Sequence, residues 1–412
     1  MSYTGYFRFV TVTLIVVALG GLLGWYYFLQ AKNAQTNAQN TGAGYSALPP
    51  SFEGSTGSTY ANIVSTLGES PGGAASSTSR LWEVSEVPVA GFGWQKGAEP
   101  TLYFIERSSG YVFEAQVSGH SVTRLTDTLR PKIYDASVTM DGSVVERSVD
   151  MSGARITFAG SVASSSAIVA ATTSVASLIG NDLPQGIGTI AADPAYDTLF
   201  FTIPNPSGVS IVSTNVAGEK ERSLFSSSIT GWRLLAPGDG TVVLLQNPLD
   251  SVIGYAYHLQ KSGALVEVAQ APGLTVLPHA SSSALIFGSS QNGSLSLFAQ
   301  SSADASPAQL PIQTVADKCA WAPGAALIAY CGVPETVASK QFLDDWYKGL
   351  LHTSDRFFEI NISAASTILL YDPSGDTSAQ LDVTEMYVDP TGQYLAFISG
   401  TDGSLWVLRI AQ

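Results

Sequence analysis

Apolar and polar residues alternate in short runs along most of this chain, and the clearest example is residues 389–410. A turn sequence, Asp389–Gly392, precedes an alternating run through Leu395 and Phe397, and a second turn at Asp402-Gly403 precedes another such run. Alternation with period two is typical of half-buried β-strands, and Pro and Gly mark the turns between them. The stretch therefore predicts antiparallel strands joined by tight turns.

The same pattern recurs along the sequence with a period close to 43 residues. The first strong aliphatic residue of each predicted middle strand follows the previous one by 42, 55, 43, 43, 43 and 67 positions. These seven residues are Leu102, Val144, Leu199, Val242, Leu285, Ile328 and Leu395. Repeats of this length, built from short strands, are typical of four-stranded propeller blades. The fold class is thus predicted to be all-β, a seven-bladed β-propeller.

The last predicted blade contains three strands, at about residues 380–387, 393–399 and 404–410. A four-stranded blade needs one more, and the β-like run Leu81–Ser85 stands just before the first blade. We expect this run to close the ring as the outer strand of the last blade, because closure removes exposed strand edges. The propeller is accordingly predicted to span residues 81–412.

Residues 9–29 contain no charged side chain, and 21 residues is the length that a helix needs to cross a membrane. A cleaved signal peptide is the alternative, but its apolar core is usually shorter and a small-residue cleavage site should follow it. We therefore expect a transmembrane helix, preceded by a short cytoplasmic N-terminus at residues 1–8. Gly20 and Gly24 form a GxxxG pair, which either joins two helices or reflects the ordinary use of Gly in membrane helices.

Residues 30–80 are rich in Ser, Gly, Asn, Thr and Ala and poor in aliphatic side chains. Such a segment buries too little apolar surface to offset the entropy lost on ordering. It is predicted to be a flexible, disordered linker between the membrane helix and the propeller.

Two stretches resemble the repeat of TolB-type and WD40-like propellers. They are the Asp-Pro-Thr-Gly-x-Tyr-Leu-Ala-Phe line at 389–397 and Trp321–Gly324 before Ile328, although the Gly-His and Trp-Asp dipeptides of true WD40 repeats are missing. The resemblance covers residues 81–412. The layout of one span, a linker and seven blades is similar to uncharacterised membrane-anchored propeller proteins of small-genome bacteria. The resemblance implies a fold and a location in the cell envelope, and it implies no reaction.

Charge narrows the choice of partners. The chain carries 33 acidic and 19 basic residues, and from residue 81 onward the numbers are 31 and 16, a net charge of −15. A nucleic-acid-binding protein needs a basic surface, so nucleic acid is not expected as a partner. The four histidines lie in different repeats without metal-ligand spacing, and no phosphate-binding glycine motif is present. We therefore expect no cofactor and no metal.

The two cysteines, Cys319 and Cys331, flank a Pro-Gly turn in the sixth repeat. In an antiparallel hairpin centred on this turn they are either directly opposite each other or diagonal neighbours on one face. They either form a disulfide or remain two small buried side chains.

The sixth repeat also carries an insertion at residues 332–355, which contains the segment ASKQFLDDWYKGLLHTSD. Its apolar residues recur at helical spacing and predict a short amphipathic helix. The aromatic residues of the insertion either pack on the ring or form a binding surface. We predict that Trp346 and Tyr347 are partly exposed on the face with the interblade connections, and that they contact a partner with Asp344 and Asp345 at the rim.

These features predict a single-pass protein of the cell membrane with an extracytoplasmic propeller that binds or scaffolds an envelope protein or glycan and is not an enzyme. Two alternatives stay open: a lyase or hydrolase with its site at the central channel, and a structural spacer in an envelope assembly. Propellers host many functions, so the fold does not choose among these. His, Arg, Tyr or carboxylate groups converging at a channel mouth around a metal would favour an enzyme.

Overall fold

The computed structural model describes residues 79–162, 176–337 and 339–411. These residues form seven four-stranded antiparallel sheets, which confirms the predicted seven-bladed propeller. The predicted membrane helix at 9–29, its Gly20 and Gly24 pair, and the linker up to residue 78 lie outside the described residues. Within the described part of the chain, no helix is both long enough and apolar enough to span a membrane.

In each blade the strands follow one another along the chain from the inner to the outer position, except that β1 (Leu81–Ser85) is the outer strand of blade 7. Blade 1 contains β2 (Val89–Trp94), β3 (Thr101–Glu106), β4 (Val112–Gln116) and β5 (Ser121–Arg124); blade 2 contains β6 (Ile133–Val138), β7 (Ser143–Val149), β8 (Arg155–Val162) and β9 (Leu178–Asp182). Blade 3 contains β10 (Ile190–Ala192), β11 (Leu199–Asn205), β12 (Gly208–Thr214) and β13 (Arg222–Ser227); blade 4 contains β14 (Trp232–Leu235), β15 (Val242–Gln246), β16 (Ile253–Leu259) and β17 (Leu265–Pro272).

The remaining blades follow the same order. Blade 5 contains β18 (Thr275–Pro278), β19 (Leu285–Gln291), β20 (Ser294–Gln300) and β21 (Ala308–Gln309), and blade 6 contains β22 (Cys319–Trp321), β23 (Ile328–Pro334), β24 (Asp355–Asn361) and β25 (Ser366–Tyr371). Blade 7 contains β26 (Val383–Val388), β27 (Tyr394–Ser399), β28 (Leu405–Arg409) and, as its outer strand, β1 (Leu81–Ser85).

Strand β1 joins the beginning of the propeller to its end. It pairs antiparallel with β28, with Leu81 opposite Leu408 and Ser85 opposite Leu405. Leu81 packs in the hydrophobic cluster of blades 6 and 7, whereas Val84 packs in the cluster between blades 7 and 1. One short strand therefore contributes apolar side chains to the packing on both sides of the last blade.

The core consists of apolar layers between neighbouring blades. Of the seven aliphatic residues that mark the repeat, six are at most 4% exposed and Ile328 is partly buried. They lie on the second strand of each blade, where both faces of the sheet are covered by adjacent blades. This position explains why the second strands are the most apolar and the most regular part of the repeat.

Aspartates build the turns between first and second strands, as their position before Pro predicts. The carboxylate of Asp389 accepts hydrogen bonds from the backbone N–H groups of Thr391, Gln393 and Tyr394. Asp193 accepts them in the same way from Ala195 and Tyr196. The acidic side chains of these turns thus stabilise the backbone.

The alternating strand directions give the ring two distinct faces. The insertion face carries the interblade connections and the loops between second and third strands. The opposite face carries the loops between first and second and between third and fourth strands. The chain enters β1 from the opposite face, because β1 runs antiparallel to β28.

Candidate functional site

The insertion in blade 6 contains a short helix, α1 (Phe342–Tyr347). Phe342 and Leu343 are fully buried and pack against Leu295 of blade 5 and Val315 of the connection into blade 6. The helix therefore lies on the insertion face, held above blades 5 and 6 by its apolar side.

Trp346 is buried, with only 7% of its surface exposed, so the prediction that its side chain is partly exposed is wrong. Its indole N–H donates to Asp382 at 2.9 Å, and its ring lies 4.8 Å from the ammonium group of Lys318. Because an indole can satisfy its single N–H and pack its ring in the same place, this residue anchors the helix to the propeller.

The anchor point is a buried ionic group that we call the Lys318 cluster. Lys318 is fully buried at the end of a short 3-10 helix, directly before β22. Its ammonium group lies within 3.0 Å of oxygen atoms of Thr353, Asp355, Asp382 and Val383. The two aspartates are each 1% exposed. The cluster joins the connection into blade 6, the end of the insertion and the connection into blade 7.

The two carboxyl groups of the cluster differ in their electrostatics. Burial raises the pKa of Asp355, and this effect outweighs the Lys318 ammonium group and the hydrogen bonds that favour its charged form. For Asp382, burial also opposes the charge, but Lys318 and the hydrogen bonds from Trp346 and Thr353 outweigh it and lower the pKa. The Lys318 ammonium group pairs with both carboxyl groups, at 2.6 Å from Asp355 and 2.5 Å from Asp382.

Tyr347 is 39% exposed, and its hydroxyl group is held by two charged side chains. The hydroxyl donates to Asp317 and accepts from Arg233 at 2.9 Å, and Arg233 also pairs with Asp317 at 2.9 Å. Burial raises the pKa of Tyr347 well above its ordinary value, so the phenol keeps the proton that it donates. Because Arg233 belongs to blade 4 and Asp317 leads into blade 6, this triad spans blade 5 on the insertion face.

The other two predicted site residues also fix the helix. Asp344 accepts a hydrogen bond at 3.0 Å from the backbone N–H of Asp250, in the loop between the second and third strands of blade 4. Asp345 accepts one at 2.6 Å from the hydroxyl of Ser339, near the start of the helix. Both are only partly buried. The structure therefore brings the four predicted residues onto one short helix and gives each a structural contact.

Exposed apolar side chains border this helix. Leu249 and Val252 are 49% and 53% exposed and flank Asp250, whose hydrogen bond to Asp344 places their loop beside the helix. Ile229 is 44% exposed and lies in the connection from blade 3 into blade 4, on the same face. We call these three residues with Tyr347 the apolar rim. On the opposite face, Tyr196 is the large hydrophobic residue that is exposed in a described loop. The two faces therefore differ in apolar exposure.

The central channel contains carboxyl groups from two blades. Glu385 lies on the inner strand of blade 7, and Asp135 lies on the inner strand of blade 2. Blade 1 separates these two blades, and the two carboxyl groups interact electrostatically. Burial, together with the negative charge of Asp135, raises the pKa of Glu385 to about 8. A raised pKa favours the protonated form of this carboxyl group. In the described residues, no three His, Cys, Asp or Glu side chains converge as a metal site.

Cys319 and Cys331 lie directly opposite each other on β22 and β23, with Cα atoms 4.1 Å apart, and form a disulfide. Of the two registers considered for this hairpin, the structure adopts the directly opposed one. The bridge joins the inner two strands of blade 6, next to Lys318.

Sequence reasoning did not identify Lys318, Asp355, Asp382 or Arg233 as functional residues. Lys318 lies 37 residues from Asp355 and 64 from Asp382, and Arg233 lies 114 from Tyr347. The one available signal was the position of Lys318 next to the apolar inner strand of blade 6, where a lysine needs a buried counter-ion.

The chain matches no protein-family model and no curated protein. Among solved structures, it is similar in fold to the structure of U3-55K, with 10% identity and a TM-score of 0.48 over 81% of this chain and 99% of that one. Virginiamycin B lyase from Staphylococcus aureus is 10% identical, with a TM-score of 0.44 over 80% of this chain and 98% of that one. The β-propeller domain of the Trilobed protease from Pyrococcus furiosus is 6% identical, with a TM-score of 0.48 over 79% of this chain and 95% of that one. These similarities concern the fold alone.

Proposed function

We propose that this chain is a membrane-anchored, extracytoplasmic propeller that acts as a non-catalytic binding or scaffold module of the cell envelope. The observation that carries the proposal is the apolar rim beside a helix that is fixed to the ring by buried contacts. Rigid surfaces with exposed apolar residues are typical of protein-binding sites, because little entropy is lost when a partner docks on them.

The chemistry of the rim favours a protein over a glycan as the partner. Ile229, Leu249 and Val252 are aliphatic, and Tyr347 is the single aromatic residue among the four. Aliphatic side chains bind by burying apolar surface, which a protein partner supplies in larger amounts than a sugar. Asp344 and Asp345 stand beside the rim, so a partner with basic residues around an apolar centre fits this surface.

Docking on the apolar rim predicts position-dependent cross-linking in intact cells. A photo-reactive amino acid at Leu249 is expected to give a discrete protein adduct, because this side chain is 49% exposed at the rim. The same amino acid at Tyr196, which is 53% exposed on the opposite face, is the matched control and should give no such adduct. Immunoblotting of membrane fractions measures both. Adducts of equal yield at the two positions would contradict docking on the insertion face.

The membrane anchor is proposed from the uncharged segment at residues 9–29, and the acidic propeller after it is proposed to lie outside the cytoplasm. Protease added to spheroplasts is expected to degrade the propeller while a cytoplasmic marker protein survives. Detergent-lysed cells serve as the control for protease activity. Full protection of the propeller in intact spheroplasts would reject this topology.

A further inference from the structure

A cleft lies at the seam where the first and last blades meet, on the opposite face from the insertion. It is small and open to solvent, and its volume is about 40 Å³. Strand β1, blade 7 and the turn between the outer strands of blade 1 line it, with Ser79, Arg80, Trp82, Val117, Ser118, His120, Tyr394, Val407 and Arg409. We call it the seam cleft.

The seam cleft is locally basic in an acidic protein. Its nine lining residues include two arginines and a histidine and no carboxylate, whereas the propeller carries a net charge of −15. Burial and the nearby positive charge of Arg409 both lower the pKa of His120.

Two side chains of the cleft, Arg409 and Trp82, have donors without a partner within the described residues. Arg80 is already engaged: its Nε and Nη1 atoms donate to the carbonyl oxygens of Arg409 and Leu370, and its guanidinium group lies 5.4 Å from the centre of the Tyr371 ring. The Arg409 guanidinium makes no ion pair in the described part of the chain. The Trp82 ring stacks on His120 at 4.7 Å, and its indole N–H is unpaired there.

We propose that the seam cleft binds a compact oxyanion, which is the carboxylate or phosphate group of a ligand. Arginine matches such groups with paired N–H donors, and hydrogen bonds between charged partners are stronger than neutral ones. The indole N–H of Trp82 and the imidazole of His120 add donors next to the Arg409 guanidinium group. This site is independent of the apolar rim, which lies on the other face.

Anion binding in the seam cleft is expected to stabilise the closed ring. Arg80 and Trp82 belong to the β1 end of the chain, Arg409 belongs to β28, and His120 belongs to blade 1. An anion that contacts all three segments binds the closed ring and not the opened one. It therefore stabilises the closed state by mass action.

The test uses the full chain in a non-ionic detergent at constant ionic strength, with chloride replaced stepwise by phosphate in one series and by acetate in another. Titration calorimetry is expected to show saturable binding of at least one anion. Thermal unfolding of the same samples should show a rise in Tm of about 2 °C or more near saturation. Binding in the phosphate series alone identifies a phosphate group, and binding in the acetate series alone identifies a carboxylate.

Arg409→Gln is expected to weaken anion binding at least tenfold. His120→Asn should weaken it less, and asparagine tolerates the positive φ of 48° at this position. The matched control is Arg155→Gln, which removes an exposed arginine of blade 2 outside the cleft and should leave the affinity unchanged. The proposal fails if neither anion binds saturably. It also fails if Arg409→Gln binds as tightly as the unaltered chain.

Discussion

Replacing Lys318 by methionine is expected to lower the free energy of unfolding by about 3–5 kcal/mol. Methionine has similar length but no charge, so Asp382 would remain buried at 1% exposure without its counter-ion. The backbone carbonyl of Val383 and the hydroxyl of Thr353 would also lose a donor. Urea denaturation of the full chain in detergent, followed by tryptophan fluorescence, measures the loss.

Two further variants test whether the loss of stability comes from the buried charge of Asp382 or from removing any lysine of this region. Lys340→Met alters an exposed lysine of the same insertion and should change the unfolding free energy by less than about 0.5 kcal/mol. Adding Asp382→Asn to Lys318→Met removes the unpaired charge and should restore part of the loss, with a coupling energy of about 1 kcal/mol or more. If Lys318→Met unfolds at the same urea concentration as the unaltered chain, the cluster does not stabilise the insertion.

Removing strand β1 is expected to abolish cooperative unfolding of the propeller. A chain that begins at residue 79 keeps the strand, whereas a chain that begins at residue 89 lacks Leu81 and Val84, which are 6% and 8% exposed. Burial of two such side chains contributes about 1.5–3 kcal/mol each, and their loss also uncovers Trp406 and Leu408 on β28. The sum approaches the whole stability of a typical domain, about 5–15 kcal/mol.

Thermal unfolding of the two chains, monitored by circular dichroism, measures this difference. Val87→Ser in the longer chain is the matched control, because Val87 lies in the same segment but is 47% exposed. A synthetic peptide of residues 79–88 should restore a cooperative transition to the shorter chain, at a temperature that rises with the peptide concentration. Equal melting temperatures for the two chains without peptide would show that β1 does not close the ring.

Strand β1 and the Lys318 cluster differ in how far they could be predicted from the sequence. The place of β1 was predicted by counting strands in the last repeat, and the structure pairs it with β28. The Lys318 cluster could not be predicted in this way, because its residues come from three separate connections between strands. No local pattern indicates which loop side chains share one buried volume.

The insertion shows the same division within a single helix. Helical spacing predicted the helix, and the structure places it at Phe342–Tyr347. The same spacing could not show that Trp346 lies over Lys318 while the ring of Tyr347 stays partly exposed. Adjacent residues on a helix point in directions about 100° apart, so their environments depend on what the helix packs against.

The number of blades, the strand periodicity and the turn chemistry could all be predicted from the amino-acid sequence. Each of these depends on residues within a few positions of one another, because strand alternation and Asp-Pro turns are local properties of the backbone. Tertiary structure alone decided the Lys318 cluster, the triad of Arg233, Asp317 and Tyr347, and the seam cleft. The physical reason is that burial and electrostatic pairing depend on which segments the closed ring brings within a few ångströms, across separations of up to 329 residues in the sequence.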